Sequence, residues 1–201
     1  MNNTTKIKLL IITPSLQCGG SEKFVSLLCN HINTQLFSVC LVVVNNARPF
    51  YTITNPDVEI VDLEKNRVLF SLSSIKTIVK KFSPDIIFST ANHLNLYLAI
   101  FRNSFNKKIK FVAREASIVS INSRQAKIPL VYNRLIKKYY NRFDRIICQS
   151  VYMQQDLVNL YNIPADKTIV IHNATAEVLS KTVLPARQDG QRVYKLLTVA
   201  R

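Results

Sequence analysis

The sequence predicts an α/β domain built on a doubly wound, mostly parallel sheet, and three observations predict it. Apolar runs of strand length alternate with stretches of helical spacing almost from the first residue. The runs at 6–13 and 37–44 are nearly continuous in apolar character, as strands buried on both faces are. At 201 residues and 48% hydrophobic content, the chain suffices for one core of this kind.

Taken in order, 6–13 reads as a strand and 21–32 as a helix whose apolar face is Phe24, Leu27, Leu28 and Ile32. Strands follow at 37–44 and 58–63, the second alternating in polarity and so placed nearer a sheet edge. Helical spacing returns over 71–82 through Leu72, Ile75, Ile78, Val79 and Phe82, until Ser83-Pro84 stops it. A strand at 85–90, a helix at 94–103, a strand at 109–113 and a long helix over about 129–143 continue the alternation. The strand 145–149 leads to a helix capped by Ser150, with Met153, Leu157, Leu160 and Tyr161 facing inward, and Pro164 closes it before a strand at 168–172. Strands joined through helices need crossovers, which make neighbours parallel and cover both faces of the sheet. Residues 185–191 then turn to Pro, Gly and polar side chains, and 194–200 open a fresh apolar strand. This divides the chain into a domain over 1–184 and, over 185–201, a linker with the first strand of a second domain.

Composition excludes several classes. The apolar content is too high for global disorder. No run approaches the ~18 apolar residues of a membrane span, and residues 1–8 lack the pattern of a secretory signal, so a cytoplasmic protein is expected. Cys18, Cys29, Cys40 and Cys148 show neither C-x-x-C spacing nor a zinc-finger histidine, and read as reduced thiols with no metal site. The net charge of +15 calls for an anionic partner, and +10 of it lies between residues 102 and 145. That partner is a nucleic acid, a phosphorylated substrate or an acidic membrane surface; no RNP, KH or zinc-finger pattern accompanies the charge, so for the basic stretch nucleic acid ranks third, behind a membrane interface and an ordinary surface helix.

In doubly wound sheets ligands bind at the carboxyl ends of the strands, which directs attention to the residues just after each one. After the first strand, Gly19-Gly20-Ser21 opens a helix. Glycines let a ligand approach the backbone, and the N–H groups of a helix start attract phosphate; a plain strand-to-helix turn would read the same way. A dinucleotide fingerprint needs a third glycine, whereas this pair continues into Ser21, Glu22 and Lys23, which disfavours a nicotinamide or flavin enzyme. Asn92 and His93 follow the fourth strand, and His93 is either a polar contact or proton carrier or a structural histidine. Arg114, Glu115 and Ser117 follow the fifth; the arginine offers a planar fork for phosphate or carboxylate, or else pairs internally with Glu115. Val131, Leu135, Ile136, Tyr139 and Phe143 share one helical side flanked by Arg134, Lys137, Lys138 and Arg142. That pattern fits a membrane interface or an ordinary surface helix.

The ordered set KLLIITPSLQCGGSEKFVSLLCNHI, DIIFSTANHLNLYLAI, FVAREAS, FDRIICQSVYMQQDLV, NIPADKTIVIHNAT and KLLTVAR resembles the amino-terminal half of family 4 glycosyltransferases over nearly the whole chain. The resemblance implies a GT-B architecture: two Rossmann-like domains facing across a cleft, the half seen here supplying the acceptor side. It implies a retaining transfer from a nucleotide-sugar donor, with no metal or other cofactor. Gly19 and Gly20, with Ser21, match the glycine loop near the donor diphosphate, and Arg201 matches an arginine reaching those phosphates from the second domain. Arg114 and Glu115 stand where the family places active-site residues, although many members have histidine at the position of Glu115. Ser150 and Asn173 match the serine ending the sixth strand and the asparagine of the interdomain segment, with Ala174 in place of the usual glycine.

The family's E-x7-E segment is not in these 201 residues, so the expectation is a parent enzyme whose acceptor-side half is silent alone. With the basic helix, the resemblance points to a lipid-linked or polysaccharide-precursor acceptor, as in capsule or O-antigen assembly, met at the anionic inner leaflet by a peripheral protein. Acceptor choice would rest on loops such as 117–127. The competing reading is a non-catalytic α/β module that binds an anionic lipid surface or nucleic acid.

Overall fold

In the computed structural model, which describes residues 5–173, seven strands form one parallel sheet. They are β1 (Ile7–Thr13), β2 (Phe37–Val43), β3 (Val58–Asp62), β4 (Ile86–Thr90), β5 (Lys110–Arg114), β6 (Arg145–Cys148) and β7 (Thr168–Val170). The helices are α1 (Gly20–His31), α2 (Leu72–Phe82), α3 (Asn92–Phe101), α4 (Val119–Arg124), α5 (Pro129–Tyr139) and α6 (Val151–Tyr161). The order β3-β2-β1-β4-β5-β6-β7 is the expected doubly wound arrangement, with the alternating strand β3 at an edge. The strand at 194–200, the second domain and Arg201 lie outside the described residues.

Alternation along the strands divides the core in two. Leu10, Ile12, Cys40, Val42 and Ile87 point to the face covered by α2, α3, α5 and α6. Leu9, Ile11, Val39, Leu41, Val43 and Phe88 point to the face covered by α1, where Val25 and Cys29 meet them. The unequal cover follows from handedness: right-handed crossovers that step from β1 to β2 and from β4 to β7 run in opposite directions, so their helices fall on opposite faces. The winding reverses between β1 and β4, and a crevice opens over their carboxyl ends.

Two helical faces differ from the sequence expectation. The buried line of α1 centres on Val25 and Cys29, with Phe24, Leu28 and Ile32 as partly buried flanks. On α5 the side turned to the core runs through Tyr132 and Ile136 to Tyr140 in the following turn, leaving Val131 half exposed. A segment packed on a flat sheet buries the i, i+4 row that fits between its neighbours, and several rows here are apolar. Residues 117–127, expected as loop, contain α4. In α6 the carboxylate of Asp156 is buried and accepts from the Ser120 amide at 3.0 Å, while Leu160 faces solvent.

The rotation of α5 has a measurable consequence. Ile136→Ala should destabilise the protein by about 2–5 kcal/mol in urea unfolding, whereas Val131→Ala should change it by less than about 1 kcal/mol. Equal losses at the two positions would contradict the observed face.

Candidate active site at the carboxyl edge of the sheet

The loop after β1 sets the first wall. Gly19 is the N-cap of α1 in extended backbone and offers no side-chain cap, so the amides of the first turn keep their affinity for an anion. Glu22 folds back toward Gly19, close to where a Cβ would stand, and accepts from the Ser15 hydroxyl at 3.5 Å. A Cβ at Gly20 would meet nothing within 4 Å. Packing among the described residues therefore does not require glycine at the exposed position 20.

Arg114 and Glu115 lie side by side in sequence and point to opposite faces, as strand geometry dictates. Arg114 turns toward α1, its guanidinium stacked over Phe24 with 3.9 Å to the ring centre. It donates to Thr90 Oγ1 at 3.4 Å and to the Asn173 side-chain oxygen. Burial lowers its pKa to about 10 against the opposing charge of Glu115, so it remains a cation at neutral pH. Glu115 turns toward α3, where its Oε1 accepts from Asn95 Nδ2 at 2.9 Å and from the Tyr140 hydroxyl at 3.0 Å. Its Oε2 has no hydrogen-bond partner among the described residues. Complete burial pushes its carboxyl up to about 7, outweighing the hydrogen bonds from Asn95 and Tyr140 and the charge of Arg114.

One alternative from the sequence is corrected here: the two side chains form no ion pair among the described residues. Both are buried beneath the strand tips, Arg114 at 2% exposure and Glu115 fully. A residue not singled out in the sequence ties the floor together. Gln149 donates to the Glu115 carbonyl at 2.9 Å and accepts from Asn173 at 2.7 Å through its side chain, while its backbone carbonyl meets His172 Nδ1 at 3.0 Å.

Asn92 and Ser117 belong to the same network. The Ser117 hydroxyl donates to Asn92 Oδ1 at 3.4 Å and accepts from Asn122 at 2.6 Å, and the buried Asn92 Nδ2 has no partner among the described residues. The residue before it, Ala91, has φ 85°, a left-handed conformation that strains a non-glycine residue. That turn sends His93 to the wall of an open cleft of about 710 Å³ lined also by Pro14, Val44, Tyr97 and Tyr132. The ring reaches solvent, yet desolvation by the surrounding walls lowers its pKa, and nearby Glu22 partly restores it.

The remaining candidates fall elsewhere. Ser150 caps α6, accepting from the Met153 amide at 3.3 Å. Arg134, Lys137 and Lys138 are exposed on α5. Arg142 instead turns inward, donating to the carbonyls of Ala99 and Ile100 at 3.3 and 2.7 Å while its guanidinium covers the Tyr139 ring at 4.5 Å. Among the residues missed, Asn95 carried a signal: it is the polar interruption in the apolar run Leu94–Ile100. Tyr140, Gln149 and His172 carried none, since only the adjacency of strand tips brings them in.

The raised Glu115 pKa fixes the sign of a pH effect. The folded protein keeps a proton there up to about pH 7, whereas the unfolded chain releases it near the ordinary value of 4.5. Stability is therefore greatest below about pH 4.5 with respect to this group and falls between there and pH 7, by roughly 3 kcal/mol in all. Melting curves at pH 5 and pH 8 should show a smaller loss in Glu115→Gln than in the parent chain; parallel losses would mean that the carboxyl is not held protonated.

A family model, Glycosyltransferase Family 4, matches residues 18–176. No curated protein matches the chain significantly. Among solved structures, sucrose-phosphate synthase from Thermosynechococcus elongatus is similar with a TM-score of 0.64 at 13% identity, over 85% of this chain and 49% of that one. The lipopolysaccharide outer core galactosyltransferase WaaB gives 0.59 at 13% identity, over 92% and 50%. HepE from Anabaena, in complex with UDP and glucose, gives 0.56 at 17% identity, over 84% and 45%. Identities this low speak for the fold alone, and the chain spans about half the length of each of these structures. The family model, by contrast, covers most of the sequence and includes the glycine loop, the Arg114–Glu115 floor and Asn173: the chain belongs to glycosyltransferase family 4.

Proposed function

We propose that the whole protein is a retaining glycosyltransferase of hexosyltransferase type, which moves a sugar from a nucleotide-sugar donor to a lipid-linked or polysaccharide-precursor acceptor without a metal. Residues 1–184 form the acceptor-side Rossmann-like domain of a GT-B enzyme, and 185–201 lead into the donor-binding domain. Family membership and the matching of about half of each similar structure support this division.

The observation that carries the reading is the glycine loop at the reversal point of the sheet. Among the described residues neither φ nor packing asks for glycine at position 20, which leaves room for a ligand to approach the backbone there. In this reading the amides of Gly19, Gly20 and Ser21 face the donor diphosphate, with Arg201 meeting it from the other side of the cleft. A diphosphate there also requires the Glu22 carboxylate to turn away from Gly19. His93 is the polar group nearest the reacting sugar, and Asn92 and Ser117 border the acceptor.

Arg114 and Glu115 take positioning roles. The arginine, fixed by Phe24, Thr90 and Asn173, places a cation under the crevice and stabilises negative charge developing above it. Glu115 holds the end of β5 to α3 and to Tyr140. The exposed Arg134, Lys137 and Lys138 on α5 support a peripheral contact with the anionic inner leaflet, a role that the inward-turned Arg142 and Tyr139 do not share.

Assay of the whole enzyme against a panel of UDP-sugars tests the reading, and absence of transfer to any lipid-linked or glycan acceptor would sink it. This 201-residue chain alone should transfer nothing. In the active enzyme Gly20→Val should lower kcat/KM by at least about tenfold with an unchanged circular dichroism spectrum, because the new side chain would fill ligand space while its Cβ meets no atom of the described residues within 4 Å. Normal kinetics in that variant would discredit the loop as the diphosphate site.

A further inference from the structure

The cleft beside His93 is larger than a polar wall contact needs, and its lining has a chemistry of its own. Lys65, Arg67 and Lys127 line it, brought together from the segment after β3 and the segment before α5. Among the described residues no Asp or Glu lines it, so these charges are not neutralised from within the cleft. Tyr97 and Tyr132 supply aromatic walls, and the Tyr97 hydroxyl donates to the Leu69 carbonyl at 3.2 Å, anchoring one rim.

That rim is apolar and open to solvent. Leu69 is 68% exposed and Phe70 65%, immediately after Arg67 and Val68. Next to Lys127, Ile128 is 62% exposed. Large aliphatic and aromatic side chains on this scale, gathered at the edges of one cationic cleft, mark a surface that is covered in use. The two chemistries ask for one amphiphile. A free sugar would use the tyrosines but neither the cations nor the rim, and a nucleic acid would use the cations but gain nothing from Leu69 and Ile128.

We propose that this cleft binds a phosphate-bearing membrane lipid, its phosphate or diphosphate held by Lys65, Arg67 and Lys127 and its hydrocarbon chain passing over Leu69, Phe70 and Ile128. The rim rests at the headgroup boundary of the bilayer, and the lipid enters the cleft without leaving the membrane. The inference rests on the reading of this chain as an acceptor-side domain, and narrows that reading to a phosphorylated lipid acceptor taken up between the segments 65–70 and 127–132.

Farnesyl diphosphate is a suitable probe, titrated into the protein by calorimetry beside farnesol and inorganic pyrophosphate. Saturable binding is expected for farnesyl diphosphate, at least about tenfold tighter than for either half-molecule. Charge reversal of Lys65, Arg67 and Lys127 should weaken it by about tenfold or more, while the same change at the exposed Lys107 and Lys108 before β5 should leave it unaltered. Leu69→Ser, Phe70→Ser and Ile128→Ser together should weaken farnesyl diphosphate but not pyrophosphate, and should reduce adsorption to anionic vesicles. These positions are exposed, so the variants should melt like the parent, which keeps loss of binding distinct from loss of fold. Farnesol binding as tightly as farnesyl diphosphate, insensitivity to the cleft charges, or displacement of the probe by single-stranded DNA would overturn the proposal. If the lipid binds as expected but the whole enzyme transfers no sugar, the glycosyltransferase reading fails and the site stands; if sugar passes only to an uncharged acceptor, the reverse holds.

Discussion

Parallel strands can be joined only through crossovers of one hand, and that constraint decides where this molecule can bind anything. From β1 the sheet grows toward β3, and from β4 toward β7, so the chain leaves two adjacent strand tips in opposite directions. The loops after β1 and β4 part there, and residues 65–69 of the crossover from β3 to β4 line the opening between Pro14 and His93. The glycine loop, the strained turn at Ala91 and the cleft wall at His93 all stand around that opening because the winding leaves no other place for them.

The floor of the opening is polar, and its cost is managed by separation rather than pairing. A buried arginine beside a buried glutamate would ordinarily be read as an ion pair. Here the pleat sends them to opposite faces, and each meets different neighbours: a π-face and two side-chain oxygens for Arg114, an amide and a phenol on Oε1 of Glu115. The cation keeps its charge under the crevice, while desolvation favours the neutral form of the acid. Gln149 and Asn173 then link the tips of β5, β6 and the segment after β7, so the floor behaves as one hydrogen-bonded unit.

The basic block between residues 102 and 145 likewise proves to be several things. Arg102 closes the turn before β5 by donating to the carbonyls of Asn106, Lys107 and Ile109, and lies over the Phe111 ring. Lys110 pairs with Asp144 at 3.1 Å, Arg114 lies in the floor and Arg142 caps the end of α3. Lys127 belongs to the cleft, and Arg134, Lys137 and Lys138 remain on the surface. A count of charges along the chain therefore overstates the area offered to an anionic partner.

The sequence by itself determined the succession of strands and helices apart from α4, the parallel sense of the sheet, the edge position of β3 and the cap at Ser150. Each follows from patterns within a dozen residues: continuous or alternating apolarity, helical spacing, and a Ser at a helix start. The motifs that carry the family resemblance were legible for the same reason. What only the tertiary structure decided is how neighbours in space divide the work. The helix 129–143 offered several apolar rows, and the shape of the sheet selected the one through Tyr132, Ile136 and Tyr140, which brought Tyr140 onto Glu115. The separation of Arg114 from Glu115, the hub at Gln149 and the meeting of Lys65 with Lys127 involve residues 23 to 62 positions apart or lying on opposite faces of one strand. Local periodicity holds no information about such pairings, because they are set by strand adjacency and by the direction in which each crossover turns.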